Sequence, residues 1–473
     1  MAERIKKLFQ HYQNKGRKIF SSSRFFFAGG IFLLLLGSGL VFFYQLKGRE
    51  KYRQLRITQQ EKLAQQAWKQ KKFWRAEAAY RELIQLAPQR GDYYWAAGEA
   101  AWQRGDYGAA ENFWRRGLKQ EPENADLLLG LMKLSIQLRD WENASFYQQK
   151  LPSSLRSEEK TRLEGELLLG EGKIEELKNW LEQGDDPWRR YFHFLLTSVT
   201  DFNAANEEWA NWAEEDNLPP QLAEKVSFWQ PVLTRLKEEG DKFYQKTLLT
   251  YYLLKQGYPH LSRSLLDELD SQFADYRDGQ LLWATYFLQT NQLPEAEEKL
   301  KAALTLDPSF APAYYLLARL AEEKGDAVKA RSYFEQLINR TREKKYQAAY
   351  CRFLIAQGDF AAADDFLQKQ LALPNQTREE KQFLRRQRLY LELAQESTRA
   401  QALAEVDKHP RSAVYLWALY LQGQKEKAKK MLAQRLSQGK WGQYLFLLAR
   451  IYQEEGQPQW ARYYRLQADN LPY

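Results

Sequence analysis

The side chains that usually carry chemistry are sparse in this chain and badly spaced for it. A single cysteine, Cys351, can form neither an intrachain disulfide nor a thiolate zinc site. The four histidines, His11, His193, His260 and His409, lie far apart, and none stands in an HExxH spacing. No GxxxxGK[ST] phosphate loop, GxSxG nucleophile turn, kinase signature or HxE…CxxC deaminase pattern occurs. Carboxylates are abundant, and a pair about 5–10 Å apart could in principle act on a glycoside. Asp106, Asp326 and Asp359, however, follow glycines at turns. The chain reads as a non-enzyme with no metal and no cofactor.

The charged residues carry a different message. The net charge is +9 over 473 residues, a balance that invites a nucleic-acid reading. Location removes that reading. Residues 1–24 hold +6 and residues 47–72 hold +7, which leaves about −4 for residues 73–473. The basic charge therefore flanks the uncharged run Phe25–Leu46, FFFAGGIFLLLLGSGLVFFYQL. That pattern suits anionic lipid head groups, and no nucleic-acid partner is expected.

As a helix, those 22 residues would span about 33 Å, close to the ~30 Å hydrocarbon core of a bilayer. Aromatic residues edge both ends, and the run is apolar on every face. A buried core helix does not call for Lys/Arg on both sides. A cleaved leader calls for an A-x-A-like site, and Gln45-Leu46-Lys47 offers none. The expectation is one transmembrane helix over 25–46 in a plasma (inner) membrane. A short basic N-terminus in the cytoplasm then puts the body outside it, although the two flanks discriminate little. Gly30 and Gly37 lie seven apart and would permit close packing with a second copy.

The body must be built from helices, because its signals recur with a period near 34 residues and no stretch alternates like a strand. The clearest unit is 91–122, with Ala97-Gly98, Ala101, Gly105-Asp106-Tyr107, Ala110, Trp114, Gly117 and Pro122; Pro88 stands 34 residues before Pro122. Two amphipathic helices are joined by a Gly-Asp turn, and proline marks the boundary. Five positions past each turn residue the side chain is small: Lys71 leads to Ala76, Gly105 to Ala110, Arg139 to Ala144, Gly257 to Ser262 and Asn291 to Ala296. Gly325 leads to Ala330, Gly358 to Ala363, Gly423 to Ala428 and Gly456 to Ala461. Nine positions past the turn a large apolar group usually follows, such as Trp114, Leu300 or Phe334, with Gln148 and Arg465 as departures.

These residues resemble the tetratricopeptide repeat family, whose pattern is W-x2-L-G-x2-Y, then A-x3-F, then P. The resemblance is strong over 57–150, 276–342 and 412–473 and degenerate over 151–240 and 376–410, where Pro219-Pro220 and Pro231 point to an irregular hairpin. The expected organisation is a basic segment 1–24, the membrane helix 25–46, a linker helix 47–56 and N-terminal repeats 57–150. Degenerate hairpins 151–240, repeats 241–375 and repeat-like units 376–473 complete it. The resemblance implies an all-α, right-handed solenoid of about eleven hairpins, with most of the 15 Trp and 28 Tyr filling seams between helices.

The resemblance also implies a concave face lined by the first helix of each pair. Carried onto this sequence, the family's register selects Trp68, Trp95, Glu99, Trp102 and Lys133, then Tyr251, Tyr315, Arg319, Arg352, Trp417, Tyr420 and Arg450. Lys133, Arg319, Arg352 and Arg450 share one repeat position, so they could bind an extended acidic peptide, with Arg holding a carboxylate in a fork. The competing reading pairs each with its own Glu, such as Glu322 or Glu454. The positions that would hold a chaperone's C-terminal carboxylate carry Glu61, Gln65, Trp95 and Glu99 and do not match that clamp. Two functions follow. The first is a membrane-anchored scaffold for one or more proteins in an envelope, pilus, secretion or maturation assembly. The second is an accessory of polysaccharide synthesis or export, with aromatic rings against glycan or a glycosyltransferase.

Overall fold

The computed structural model describes residues 49–212, 218–374, 376–406, 412–436 and 442–469. The basic segment 1–24, the apolar run 25–46 and Gly30 and Gly37 lie outside the described residues. Among the described residues the regular structure is helical throughout, with no strand, and no helix is long and apolar enough to cross a membrane. The described body is thus an all-α solenoid of helical hairpins. The chain divides into two compact units, 1–89 and 90–473.

In the first unit, a helix over 49–69 pairs with the helix Phe73–Leu86. Ala64, Ala76 and Leu83 are fully buried in it, and Arg53 Nε donates to the Leu86 carbonyl at 2.6 Å.

The second unit repeats that plan. Gly91–Gln103 pairs with Tyr107–Leu118, Ala125–Leu138 with Trp141–Lys150, Glu158–Glu171 with Ile174–Leu181, and Pro187–Thr200 with Phe202–Trp212. After the single helix Pro220–Glu238, Lys242–Gln256 pairs with Pro259–Phe273 and Arg277–Gln289 with Leu293–Leu306. Ala311–Glu323 pairs with Ala327–Ile338, Lys344–Ala356 with Phe360–Leu371, and Arg378–Ala394 with Glu396–Val406. Ala413–Leu421 with Lys425–Leu436, and Gly442–Glu454 with Pro458–Asp469, complete the unit.

Each turn residue singled out above adopts the left-handed conformation. Gly105, Gly257, Gly325, Gly358, Gly423 and Gly456 have φ of 70–85°, and Lys71, Arg139 and Asn291 have φ of 53–60°. Glycine reaches this region freely, whereas a Cβ there costs ~1–2 kcal/mol. Arg139 gains a compensating contact, since its guanidinium donates to the Gln289 carbonyl at 3.1 Å. The turn reverses the chain so that the residue five positions on faces the first helix. Those nine residues are all 0–1% exposed. No larger side chain fits where the two helix axes cross.

A tenth turn of this kind sits at Gly172, φ 73°, inside the stretch with the weakest repeat signal. Five residues on stands Leu177, which is buried but not small, so the spacing test passes over it. The second helix of that hairpin, Ile174–Leu181, has only eight residues. Large rings fill the space that regular packing would otherwise occupy. Tyr191, Phe192, Phe194, Trp209 and Trp229 form one buried cluster with Leu222, Leu236 and Leu253. Trp229 Nε1 donates to the Tyr191 hydroxyl at 3.2 Å, and that hydroxyl meets the Tyr258 hydroxyl at 3.2 Å. Pro220 opens the following 19-residue helix, where its missing N–H costs nothing, and Pro231 sits inside it.

Two glycines explain the best-formed repeat. Trp114 is fully buried and lies between Gly98 and Gly130. A Cβ at 98 would collide with the indole, and one at 130 would stand 2.7 Å from it.

The backbone turn and the small contact can be tested separately. Gly325 has open space around it, so Gly325→Ala should cost about 1 kcal/mol through the backbone alone. Ala296 is fully buried, so Ala296→Leu should cost ~1–3 kcal/mol through overpacking. Urea midpoints measure both; unchanged midpoints would contradict this description of the hairpin.

Candidate functional site

The first helices of successive hairpins in the second unit line one cleft of about 470 Å³. Trp102, Lys133, Arg162 and Trp188 come from four consecutive first-position helices, Lys225 comes from the single helix Pro220–Glu238, and Leu445, Tyr463 and Gln467 come from the last hairpin. Two residues selected from the sequence, Trp102 and Lys133, thus meet in this cleft.

Two of its cations are paired with carboxylates in or beside it. Lys133 is 4% exposed, pairs with Glu99 at 3.3 Å and Glu159 at 3.4 Å, and stands 4.3 Å from the Trp102 ring centre. Arg162 pairs with Glu166 at 2.9 Å and Glu159 at 3.6 Å and lies 5.8 Å from the Trp188 ring. Lys225 donates to the neutral Gln256 side chain at 3.2 Å. The cleft therefore offers rings, amides and a mostly neutralised charge network. Such a surface binds by stacking and hydrogen bonding more than by net charge.

The cleft has its second wall because the last hairpin docks on the first turn of the same unit. The Tyr452 hydroxyl donates to Asp106 Oδ1, and the Tyr464 hydroxyl donates to the Gly105 carbonyl at 2.8 Å while accepting from the Tyr107 N–H. Trp460 Nε1 donates to Glu111 at 2.7 Å, and the Tyr107 and Tyr464 rings stack at 6.0 Å. Gly108 makes room, because a Cβ there would stand 2.6 Å from the Tyr452 ring. Asp106 also caps Tyr107–Leu118 through the Ala109 N–H and pairs with Arg104 at 3.0 Å. Burial and the adjoining Asp106 carboxylate push the Tyr452 phenol well above its ordinary range, so it remains a donor.

Sequence reasoning missed this docking, yet it left a signal. Trp460, Tyr463 and Tyr464 put three large rings within five residues of Pro458–Asp469, and the structure buries Trp460 and Tyr464 fully.

A second group of selected residues gathers near the C-terminus. The Arg352 guanidinium lies 4.3 Å over Phe446, and one helical turn along, Arg450 lies 4.3 Å over Trp417. The Trp417 and Tyr420 rings stack at 5.4 Å and 12°, and Lys425 lies 5.2 Å from Tyr420. Cations and rings alternate along this stripe, each cation drawn to a ring face. Burial, with Glu455 and Glu454 nearby, raises the Tyr420 phenol to about 12.

The other selected residues stand apart. Arg319 pairs with Glu322, the arrangement weighed against a peptide-binding role. Tyr315 packs on Tyr346 at 5.2 Å, and Tyr251 is 45% exposed beside Tyr252. Half-buried Trp95 receives the Trp114 Nε1–H on its carbonyl at 3.2 Å. Trp68 belongs to the first unit, edge-on to Phe73 at 5.3 Å. Among the described residues no group of three His, Cys, Asp or Glu side chains could hold a metal. Cys351 is buried, which raises its thiol to about 12 and suppresses the reactive thiolate.

Two expected outcomes test these assignments. Lys133→Met leaves Glu99 without this cation and Glu159 with Arg162 alone; with Glu159 36% exposed, the loss should be about 2 kcal/mol, below the ~3–5 kcal/mol of a fully buried pair, and adding Glu99→Leu should recover part of it. Gly108→Val should undock the last hairpin, read as faster amide exchange in 442–469 with little change in 242–323. Equal exchange throughout would show that the hairpin does not depend on this contact.

The tetratricopeptide repeat model matches residues 61–125 and 281–348. No curated protein matches the chain. Among solved structures, the chain is similar to the APC/C hetero-tetramer Cut9–Hcn1, at 14% identity over 87% of this chain and 93% of that one, with a TM-score of 0.30. It is similar to PilW, a widely conserved type IV pilus biogenesis factor, at 15% identity over 62% of this chain and 96% of that one, with a TM-score of 0.26. It is similar to the Naa15/Naa10 structure bound to HypK, at 12% identity over 88% and 93% of the two chains, with a TM-score of 0.27. The described chain is an all-α, tetratricopeptide-like solenoid whose residues 61–125 and 281–348 match that family's repeat model.

Proposed function

We propose that this protein is a membrane-anchored scaffold that holds one or more partner proteins against the inner helices of its second unit. The observation that carries the reading is the cleft itself. Four consecutive first helices and the single helix Pro220–Glu238 contribute to one surface, and the last hairpin supplies its opposite wall. Such a surface suits an extended polypeptide, which meets rings for its apolar side chains and amides for its backbone.

The charge-free run 25–46 between two basic flanks supports the anchor. In this reading the N-terminus is cytoplasmic, the solenoid lies outside a plasma (inner) membrane, and lipid contacts only the N-terminal segments. The assemblies that fit are envelope, pilus, secretion or maturation machines.

Capture of the full chain from native membranes, after mild cross-linking, tests the reading. Gln221 and Glu224 are exposed cleft residues, so Gln221→Arg with Glu224→Arg should leave the fold intact. The wild type should retain specific proteins, and the double variant should lose them by roughly tenfold or more, about 1.4 kcal/mol. Unchanged protein partners together with altered retention on glycan would favour the polysaccharide-accessory role instead. An alkaline wash should leave the chain in the membrane, and a reporter after Tyr473 should be active outside the cytoplasm; release, or cytoplasmic activity, would contradict the anchor or its orientation.

A further inference from the structure

The helix over 49–69 has two faces of opposite use. Ile57, Ala64 and Ala67 are buried, on the side that carries its pairing with Phe73–Leu86. On the other side Tyr52, Leu55 and Leu63 stand 61%, 56% and 53% exposed. At 3.6 residues per turn these three fall within about 80° of one another, so they form one apolar stripe. Lys51, Lys62 and Lys69 are exposed as well, and their spacing sets them on a single line beside that stripe.

The charges of this helix are sorted between the two faces. Arg53 and Arg56 turn toward the paired helix, Arg53 to the Leu86 carbonyl at 2.6 Å and Arg56 to Glu82. Glu50 and Glu61 lie more than about 100° round the helix from the stripe, where Glu50 meets Arg53 and Gln54. Among the described residues Lys51, Lys62 and Lys69 make no ion pair. The outer face therefore offers apolar side chains, amides and three free ammonium groups, with no carboxylate among them.

We propose that this face lies along the bilayer surface, with Tyr52, Leu55 and Leu63 set among the head groups and Lys51, Lys62 and Lys69 held by anionic lipid. The proposal rests on the anchor of the scaffold reading and adds a second, peripheral contact made by a folded helix. The apolar run ends at Leu46 and the described helix begins at Arg49. That interval reaches about 11 Å at most, against a head-group layer about 5–8 Å thick, so the helix starts at the membrane surface. Gly48 between them permits the chain to bend. Upright, the helix would carry Leu63 about 17 Å farther into water than Tyr52. Lying flat, it brings all three apolar side chains to one depth, while the lysines reach back to the head groups. A second copy fits this face poorly, because it would bring two sets of lysines together with no carboxylate to answer them.

The test uses the full chain with Cys351→Ala and single cysteines introduced as Leu55→Cys, Leu63→Cys or Gln85→Cys. Gln85 is exposed on Phe73–Leu86, the helix behind the stripe. Each variant is spin-labelled and reconstituted in phosphatidylcholine vesicles with and without phosphatidylglycerol. Collision with oxygen, which concentrates in lipid, is compared with collision with a water-soluble nickel chelate. With phosphatidylglycerol, labels at 55 and 63 should meet oxygen more often than the chelate, and the label at 85 should show the reverse. Lys51→Gln, Lys62→Gln and Lys69→Gln together should return both stripe labels to water without loss of helicity. Chelate access at 55 and 63 equal to that at 85, or no effect of phosphatidylglycerol, would overturn the proposal. So would labels shielded from both reagents with a spin–spin broadening that unlabelled chain dilutes away, the mark of a second copy. An alkaline wash separates this contact from the anchor. A chain retained while its stripe labels stay in water counts against the surface contact only, whereas a chain released after its labels were immersed counts against the anchor only.

Discussion

The structure depends on one repeated contact, a left-handed turn followed five residues later by a side chain small enough for two helices to cross. The turn at Gly325 brings Ala330 against the first helix of its hairpin, and the same relation recurs from Lys71–Ala76 to Gly456–Ala461. Once that crossing is set, the direction of each hairpin follows, and so does the face that its first helix presents. The cleft is a consequence of this geometry. Trp102, Lys133, Arg162 and Trp188 share a wall because the first helices that carry them stack in sequence order, and the single helix Pro220–Glu238 adds Lys225.

Stacking alone would leave that wall open. The last hairpin supplies the other side, held by a few polar contacts among aromatic rings: Tyr452 on Asp106, Tyr464 on Gly105 and Tyr107, and Trp460 on Glu111. Asp106 has three tasks at once, as helix cap, partner of Arg104 and acceptor for Tyr452. Local and long-range order in the second unit therefore meet at one carboxylate. Such shared use makes the individual contributions non-additive.

Much of the fold was legible because its determinants are local. A residue that tolerates positive φ and an alanine five positions on both lie within one short window, so inspection finds them. Gly172 escaped the same inspection because Leu177, five positions on in an eight-residue second helix, is buried but not small. The docking of the last hairpin joins residues about 350 positions apart and obeys no period; only the excess of rings on the terminal helix hinted at it. The lining of the cleft was legible in part. Register placed Trp102 and Lys133 in the cleft, and Arg352, Trp417, Tyr420 and Arg450 along one stripe. Register could not distinguish a cation already paired, such as Arg319 with Glu322, from one left unpaired, such as Arg450, because pairing depends on rotamers and on neighbours from other repeats.

In the proposed scaffold, function lies in the surface that the repeats align. Site-specific photo-cross-linking in native membranes tests this most directly. A photoreactive residue in place of Gln221 would sit in the cleft, and one in place of Val328, which is 81% exposed, would sit outside it. A scaffold that works through its cleft predicts a discrete protein adduct from position 221 and none from position 328. An adduct from position 328 with none from position 221 would contradict it.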